Sequence, residues 1–175
     1  MPEQVKEKVL LQGARFSVNA LEMVDANGRH IVREVIRHPG AVVLLPRLDD
    51  GRIVLIDNLR RTVGETLLEL PAGTIDPGEA PEQTAARELT EETGYTAAKL
   101  EKIHEFYSCP GICDELMHLY LATGLTAGEP AREATEQMEN RIVRQDEIPE
   151  LIASGAIRDA KTLVGLYALL SRFSG

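Results

Sequence analysis

The chain is short of cysteine, of positive charge and of long apolar runs, and each shortage removes a class of protein. Only two cysteines, Cys109 and Cys113, occur in 175 residues. A disulfide framework or a four-ligand zinc site needs more thiols or clustered histidines, and the four histidines (His30, His38, His104, His118) are scattered. Both cysteines are therefore expected to be ordinary thiols, and His118, in an alternating stretch, a structural residue. Lys and Arg number 19 against 28 Asp and Glu, a formal net charge of −9. A general nucleic-acid binder needs a basic face, so no nucleic-acid partner is expected. An anionic small substrate remains compatible with that charge, because carboxylates can recruit a divalent metal that then attracts phosphate. The longest apolar stretch, 163–170, is far too short to span a bilayer, so no membrane partner is expected. The opening sequence MPEQVKEKVLLQG is charged early and has no long apolar core. It does not read as a signal peptide, and a cytoplasmic location is expected. No internal repeat or low-complexity linker is visible.

What is present suits one globular domain. Hydrophobic residues make up 43% and charged residues 27%, in a length sufficient to bury a core without disulfides. Residues 15–24 and 30–37 read as strands joined by the turn Asp25-Ala26-Asn27-Gly28, which predicts a small N-terminal antiparallel sheet. After Pro39-Gly40, the apolar run 41–45 predicts a strand buried on both faces. Asp49-Asp50-Gly51 is a hairpin turn, and 52–58 returns as a strand. A short apolar stretch, 67–70, ends at Pro71-Ala72-Gly73. Pro81 suits the first helical turn and Gly94 the position just past the end of a helix. Residues 99–107 and 115–122 alternate like strands, 137–143 leads into another, and 146–154 and 161–173 read as helices, the last amphipathic. The sum is an α/β fold, a mixed sheet flanked by helices.

The stretch 73–95 carries the chemistry. On a helix, Glu88 stands three residues from Glu91 and four from Glu92, so the three form one acidic patch. Like charges so spaced destabilise an isolated helix by a few tenths of a kcal/mol per pair, a cost that a bound cation offsets. Carboxylate oxygens suit Mg²⁺ or Mn²⁺. Gly73 and Gly78 bracket a loop able to turn a backbone carbonyl towards the same ion. Arg87, four residues before Glu91, can pair with it and orient it. Ala85, Ala86 and Leu89 supply an apolar stripe for packing on a sheet.

The full spacing resembles the Nudix box: Gly, five residues, Glu, seven residues, then Arg-Glu-apolar-x-Glu-Glu-x-Gly-apolar. Gly73, Glu79, Arg87, Glu88, Leu89, Glu91, Glu92, Gly94 and Tyr95 fill every fixed position. The resemblance implies a Nudix hydrolase, an α/β/α sandwich that cleaves a nucleoside diphosphate linked to another group. It implies Glu88, Glu91, Glu92 and the Ala72 carbonyl as metal ligands, with Mg²⁺ as cofactor and Mn²⁺ as a substitute. It assigns Gly73, Glu79, Arg87 and Gly94 to holding the motif together.

The likeness extends beyond the box. The run 67–73, preceded by Leu59-Arg60, and Pro110, sixteen residues past Gly94, resemble the ADP-ribose pyrophosphatase branch. That branch implies hydrolysis of ADP-ribose to AMP and ribose 5-phosphate. It also implies a loop glutamate that activates water, for which Glu136 is the candidate, with Glu139 and Glu133 as fallbacks and Glu91 as a ligand or water-holder. Arg60 and Arg37, at predicted strand ends, are candidate substrate contacts, because a guanidinium fork matches phosphate oxygens. Thr74 and Glu115 are further candidates, beside the box glycine and the proline motif. Residues 1–40 are expected to form a β-rich extension that makes a homodimer, and 41–175 the Nudix domain. The alternatives are a Nudix hydrolase for another nucleotide sugar, a dinucleotide or an oxidised nucleotide and, more distantly, a non-catalytic regulator that binds ADP-ribose-like ligands.

Overall fold

The computed structural model describes residues 5–132 and 137–173. Strands β1 (Lys6–Gln12), β2 (Ser17–Val24) and β3 (His30–Arg37) form an antiparallel sheet in the order β1-β2-β3. The β2–β3 turn is held by Asp25, whose Oδ1 accepts from the Asn27 and Arg29 amides at 2.8 and 2.9 Å. Strand β1 is an addition to the two strands expected here. All of its residues are exposed, so no buried face leaves a period to read.

Strand β4 (Ala41–Pro46) is buried along its whole length, as its unbroken apolar run predicts. It continues through a hairpin turn into β5 (Ile53–Arg60), then β6 (Glu65–Glu69) and the short β7 (Ala72–Thr74). Helix α1 (Pro81–Thr93) follows, then the long strands β8 (Tyr95–Tyr107) and β9 (Leu116–Ala127), and β10 (Met138–Val143). A 3₁₀ turn (Gln145–Glu147) leads to α2 (Ile148–Ala153) and the closing helix α3 (Ala160–Phe173). Two sheets result: a mixed one, β7-β4-β9-β8, in which β4 runs parallel to β9, and an antiparallel one, β10-β5-β6.

Side-chain alternation along β4 divides the core. Val42 and Leu44 pack with Tyr120, Ala122 and, from α1, Ala85 and Leu89. Val43 and Leu45 pack on the other side with Ile53, Leu55 and, from α3, Leu166 and Leu169. Helices thus cover both sides, which is the α/β/α sandwich expected. Burying a leucine such as Leu89 is worth about 1.5–3 kcal/mol.

Strand β8 starts earlier than expected, at Tyr95. Its register with β9 runs from Tyr95–Ala127 to Tyr107–Leu116, so the segment 95–98 is strand through pairing with a partner distant in sequence. The N-terminal sheet joins the body at the end of β3. There the Ile36 amide donates to Ile112 O at 2.7 Å and the Asp114 amide to Ile36 O at 3.2 Å.

Candidate active site

Local sequence sets α1 in place. Pro81 opens the helix, and the Gln83 side chain accepts from the Ala80 amide at 2.9 Å. Gly94 closes it in the left-handed conformation, φ 79°, with its amide on Thr90 O. A Cβ at position 94 would also fall 2.5 Å from Gly128 O, so only glycine fits there. The last turn of α1 has no basic residue of its own. Its carbonyls are instead met by a later segment: the Ala131 amide donates to Glu91 O at 2.9 Å, Arg132 Nε to Glu92 O at 2.8 Å and Asn140 Nδ2 to Thr93 O at 2.7 Å.

With the helix fixed, the box side chains interlock. Arg87 Nη1 donates to Glu88 Oε1 at 2.7 Å and to Glu91 Oε2 at 3.0 Å. Its Nη2 and Nε hold Glu79 at 3.0 and 3.2 Å, and Thr84 Oγ1 donates to Glu79 at 2.8 Å. The hydrogen bonds from Arg87 and then from Thr84 hold the Glu79 carboxyl below the usual range. The hydrogen bonds to Glu79 first, and then to Glu88 and Glu91, push Arg87 further up. Glu92 is buried and its Oε2 accepts from the Ala72 amide at 3.0 Å. That contact ties α1 to β7. Gly73 lies directly under Glu88: a Cβ there would sit 1.9 Å from Glu88 Cδ.

Three carboxylates and the Ala72 carbonyl are hard oxygen donors of the kind that Mg²⁺ and Mn²⁺ take, and Gly73 leaves the Glu88 carboxylate its room. The donor set therefore fits such an ion by type. Among the described residues, no three His, Cys, Asp or Glu side chains converge on one point. Glu88 and Glu91 each turn an oxygen to Arg87, and Glu92 turns one to Ala72.

These residues border a cleft of about 1040 Å³. Ala72, Glu88, Glu91 and Glu92 line its acidic side, and Arg37, Arg60, Thr74 and Glu115 also line it. The structure thus brings all eight of these candidates to one place. Arg60, at the end of β5, is held by Glu69: Nε lies 2.9 Å from Oε1 and Nη2 lies 2.6 Å from Oε2. Arg37 is held between Glu7 of β1, at 2.8 Å, and Asp114, at 2.9 Å. Glu115 Oε1 stands 3.5 Å from His38 Nδ1. Glu133 and Glu136 lie outside the described residues. Glu139 lies on β10 opposite Asp57, is exposed, and is not among the residues lining the cleft, whereas its neighbour Met138 is.

Sequence reasoning passed over three contributors. Lys161, at the start of α3, lines the cleft, and buried Glu69 holds it. The β1–β2 connection enters the cleft through Arg15 and Phe16. None of these has a local signal; only the fold brings them to the box.

The model of the NUDIX domain matches residues 36–164. The chain is 38% identical to ADP-ribose pyrophosphatase of Bacillus subtilis (strain 168) over 174 residues, 95% of this chain and 94% of that one. It is 33% identical over 167 residues to the methanol dehydrogenase activator of Bacillus methanolicus, 94% of this chain and 90% of that one. Among solved structures, an ADP compounds hydrolase matches with a TM-score of 0.86 at 21% identity, covering 100% of this chain and 96% of that one, a likeness of fold. Because the likeness runs along nearly the whole chain and not the box alone, the chain belongs to the Nudix hydrolases, in their ADP-ribose pyrophosphatase branch, and is a pyrophosphohydrolase.

Proposed function

We propose that the protein hydrolyses the diphosphate bond of ADP-ribose, or of a closely related nucleoside diphosphate sugar, to AMP and ribose 5-phosphate, with Mg²⁺ as cofactor and Mn²⁺ as a substitute. The observation that carries this reading is the shared cleft, in which box carboxylates and two arginines meet. A diphosphate calls for both: hard donors for its counter-ion and guanidinium forks for its oxygens. The name of the B. subtilis relative supports the choice of ADP-ribose.

In this reading Glu88, Glu91, Glu92 and the Ala72 carbonyl hold the metal, and Arg87 orients Glu88 and Glu91. The metal, when bound, neutralises charge on the diphosphate oxygens and makes water more acidic. Arg60 and Arg37 bind the anionic substrate, with Thr74 and Glu115 beside them. A water oxygen bonds to one phosphorus, the bridging P–O bond breaks, and the bridging oxygen leaves with the other phosphate. The water proton passes to a carboxylate, for which we propose Glu136, with Glu91 holding the water. The proposed assembly is a homodimer made through residues 1–40, supported by the exposed apolar residues Val9, Leu10 and Leu11 on β1. The free thiols of Cys109 and Cys113 suit a reducing, cytoplasmic setting.

The relative named as a methanol dehydrogenase activator favours a second reading, a protein that acts on a partner. The complete set of box carboxylates favours the enzyme. Purified protein with Mg²⁺ should be assayed on ADP-ribose and a panel of other nucleoside diphosphate sugars, with products resolved by anion exchange. ADP-ribose should give AMP and ribose 5-phosphate at a kcat/KM at least about tenfold above the panel, about 1.4 kcal/mol of differential transition-state binding. No turnover of any of these compounds with either metal would sink the proposal.

A further inference from the structure

Behind Arg60 lies a buried network that the box does not explain. Glu69 ends β6 with its side chain 1% exposed. It accepts from Arg60 Nε and Nη2 and also from Lys161 Nζ, at 2.7 Å. Lys161, in turn, lies 2.9 Å from Asp159 Oδ2. Asp159 caps α3, taking the Thr162 amide at 2.9 Å and the Thr162 hydroxyl at 2.6 Å. The same hydroxyl accepts from the Leu70 amide at 2.8 Å, which ties the start of α3 to the chain just after Glu69.

A carboxylate buried this deeply needs a cation, and one bidentate arginine supplies it. The second cation, brought from 92 residues away, does something further. Arg60 Nη2 and Lys161 Nζ both bind Glu69 Oε2, so Lys161 pins the carboxylate that in turn sets the plane of the guanidinium. Glu69 engages the Nε–Nη2 edge of Arg60. Nη1 makes no hydrogen bond among the described residues, and the Arg60 side chain is 40% exposed and lines the cleft. The Nη1–Nη2 edge is a second fork, whose spacing matches two oxygens of one phosphate.

We propose that Glu69 and Lys161 are positioning residues that act through Arg60, fixing its unengaged guanidinium edge for a phosphate group of a nucleoside diphosphate substrate. The inference rests on the reading of the cleft given above. Steady-state kinetics on ADP-ribose with Mg²⁺ test it in Arg60→Ala, Glu69→Gln, the double variant, Lys161→Met and Lys161→Arg, with a melting temperature for each. Glu69→Gln should raise KM about tenfold with kcat within about threefold, the size of a lost charge-assisted hydrogen bond. The double variant should be no worse than Arg60→Ala by more than about twofold, the mark of two residues acting as one. Lys161→Met, which keeps the Glu69–Arg60 pair, should raise KM about threefold, and Lys161→Arg should restore it. The proposal is overturned if the Glu69→Gln effect persists in full without Arg60, or if Lys161→Met lowers the melting temperature and leaves KM at the wild-type value. If Glu69→Gln fails to fold, the Lys161 pair decides. If wild-type protein ignores ADP-ribose but cleaves another nucleoside diphosphate sugar, the substrate assignment falls and the same variants are compared on that compound. If it cleaves none, calorimetric binding of ADP-ribose in EDTA by the same variants takes the place of kinetics, and equal affinity in wild type and Glu69→Gln overturns the proposal.

Discussion

At Gly73 a Cβ would fall 1.9 Å from Cδ of Glu88 and 2.0 Å from its Oε1. The atoms in the way are the far end of a long side chain, so a methyl group there should move Glu88 and spare the fold. Gly73→Ala is expected to lower kcat/KM by on the order of a hundredfold, as a misplacement of about 1 Å can, with little change in melting temperature. Activity within about threefold of wild type would show that the Glu88 position is unimportant. Glu79 offers a test by pH. Its folded-state pKa is depressed, first by Arg87 and then by Thr84. Its stabilising contribution is therefore present above the unfolded value of about 4.3 and is lost as pH falls through the lower folded value. Glu79→Gln should melt below wild type at pH 7, and the gap should close as the pH is taken through and below the carboxylate range. A gap constant with pH would mean that the Glu79 charge contributes nothing. Glu88, Glu91 and Glu92 are legible in the sequence because spacings of three and four define one helix face. Glu69 and Lys161 are not, since 92 residues separate them and only the packing of α3 on the sheets brings them together.

Among the elements, α1 depends on a segment far along the chain. Arg132 and Asn140 satisfy Glu92 O and Thr93 O and bond each other at 2.7 Å. Arg132→Ala or Asn140→Ala should each cost about 1 kcal/mol, the usual worth of a hydrogen bond to an otherwise open helix terminus, measured by urea unfolding. An unchanged unfolding midpoint in both would mean that water replaces these donors at no cost. Such ties explain which elements the sequence announces. Strand β4 is legible as a continuous apolar run and α1 through Pro81 and Gly94, because burial and capping leave local marks. Strand β1 exposes every residue and the start of β8 is set by distant pairing, so neither leaves such a mark.

For the whole molecule, the N-terminal sheet raises the question of assembly. Val9, Leu10 and Leu11 are consecutive, apolar and each more than half exposed. A second copy of the chain is the proposed cover for such a patch. Light scattering should give twice the chain mass, and Leu10→Glu with Leu11→Glu should give the single mass. Activity should fall with it, because the connection after β1 carries Phe16 into the cleft. A wild-type protein that scatters as one chain at micromolar concentration would end the dimer proposal. Strand β4 has a consequence of another kind. Its even-numbered residues Val42 and Leu44 carry the helix of the glutamates, and its odd-numbered Val43 and Leu45 carry the helix of Lys161. Interiors pack too densely to absorb even one added or lost methylene without movement. Strand β4 therefore backs both helices that border the cleft, and the parity of a residue number tells which helix it supports. A change of volume at an even position is felt first under Glu88, Glu91 and Glu92, and a change at an odd position first under Lys161.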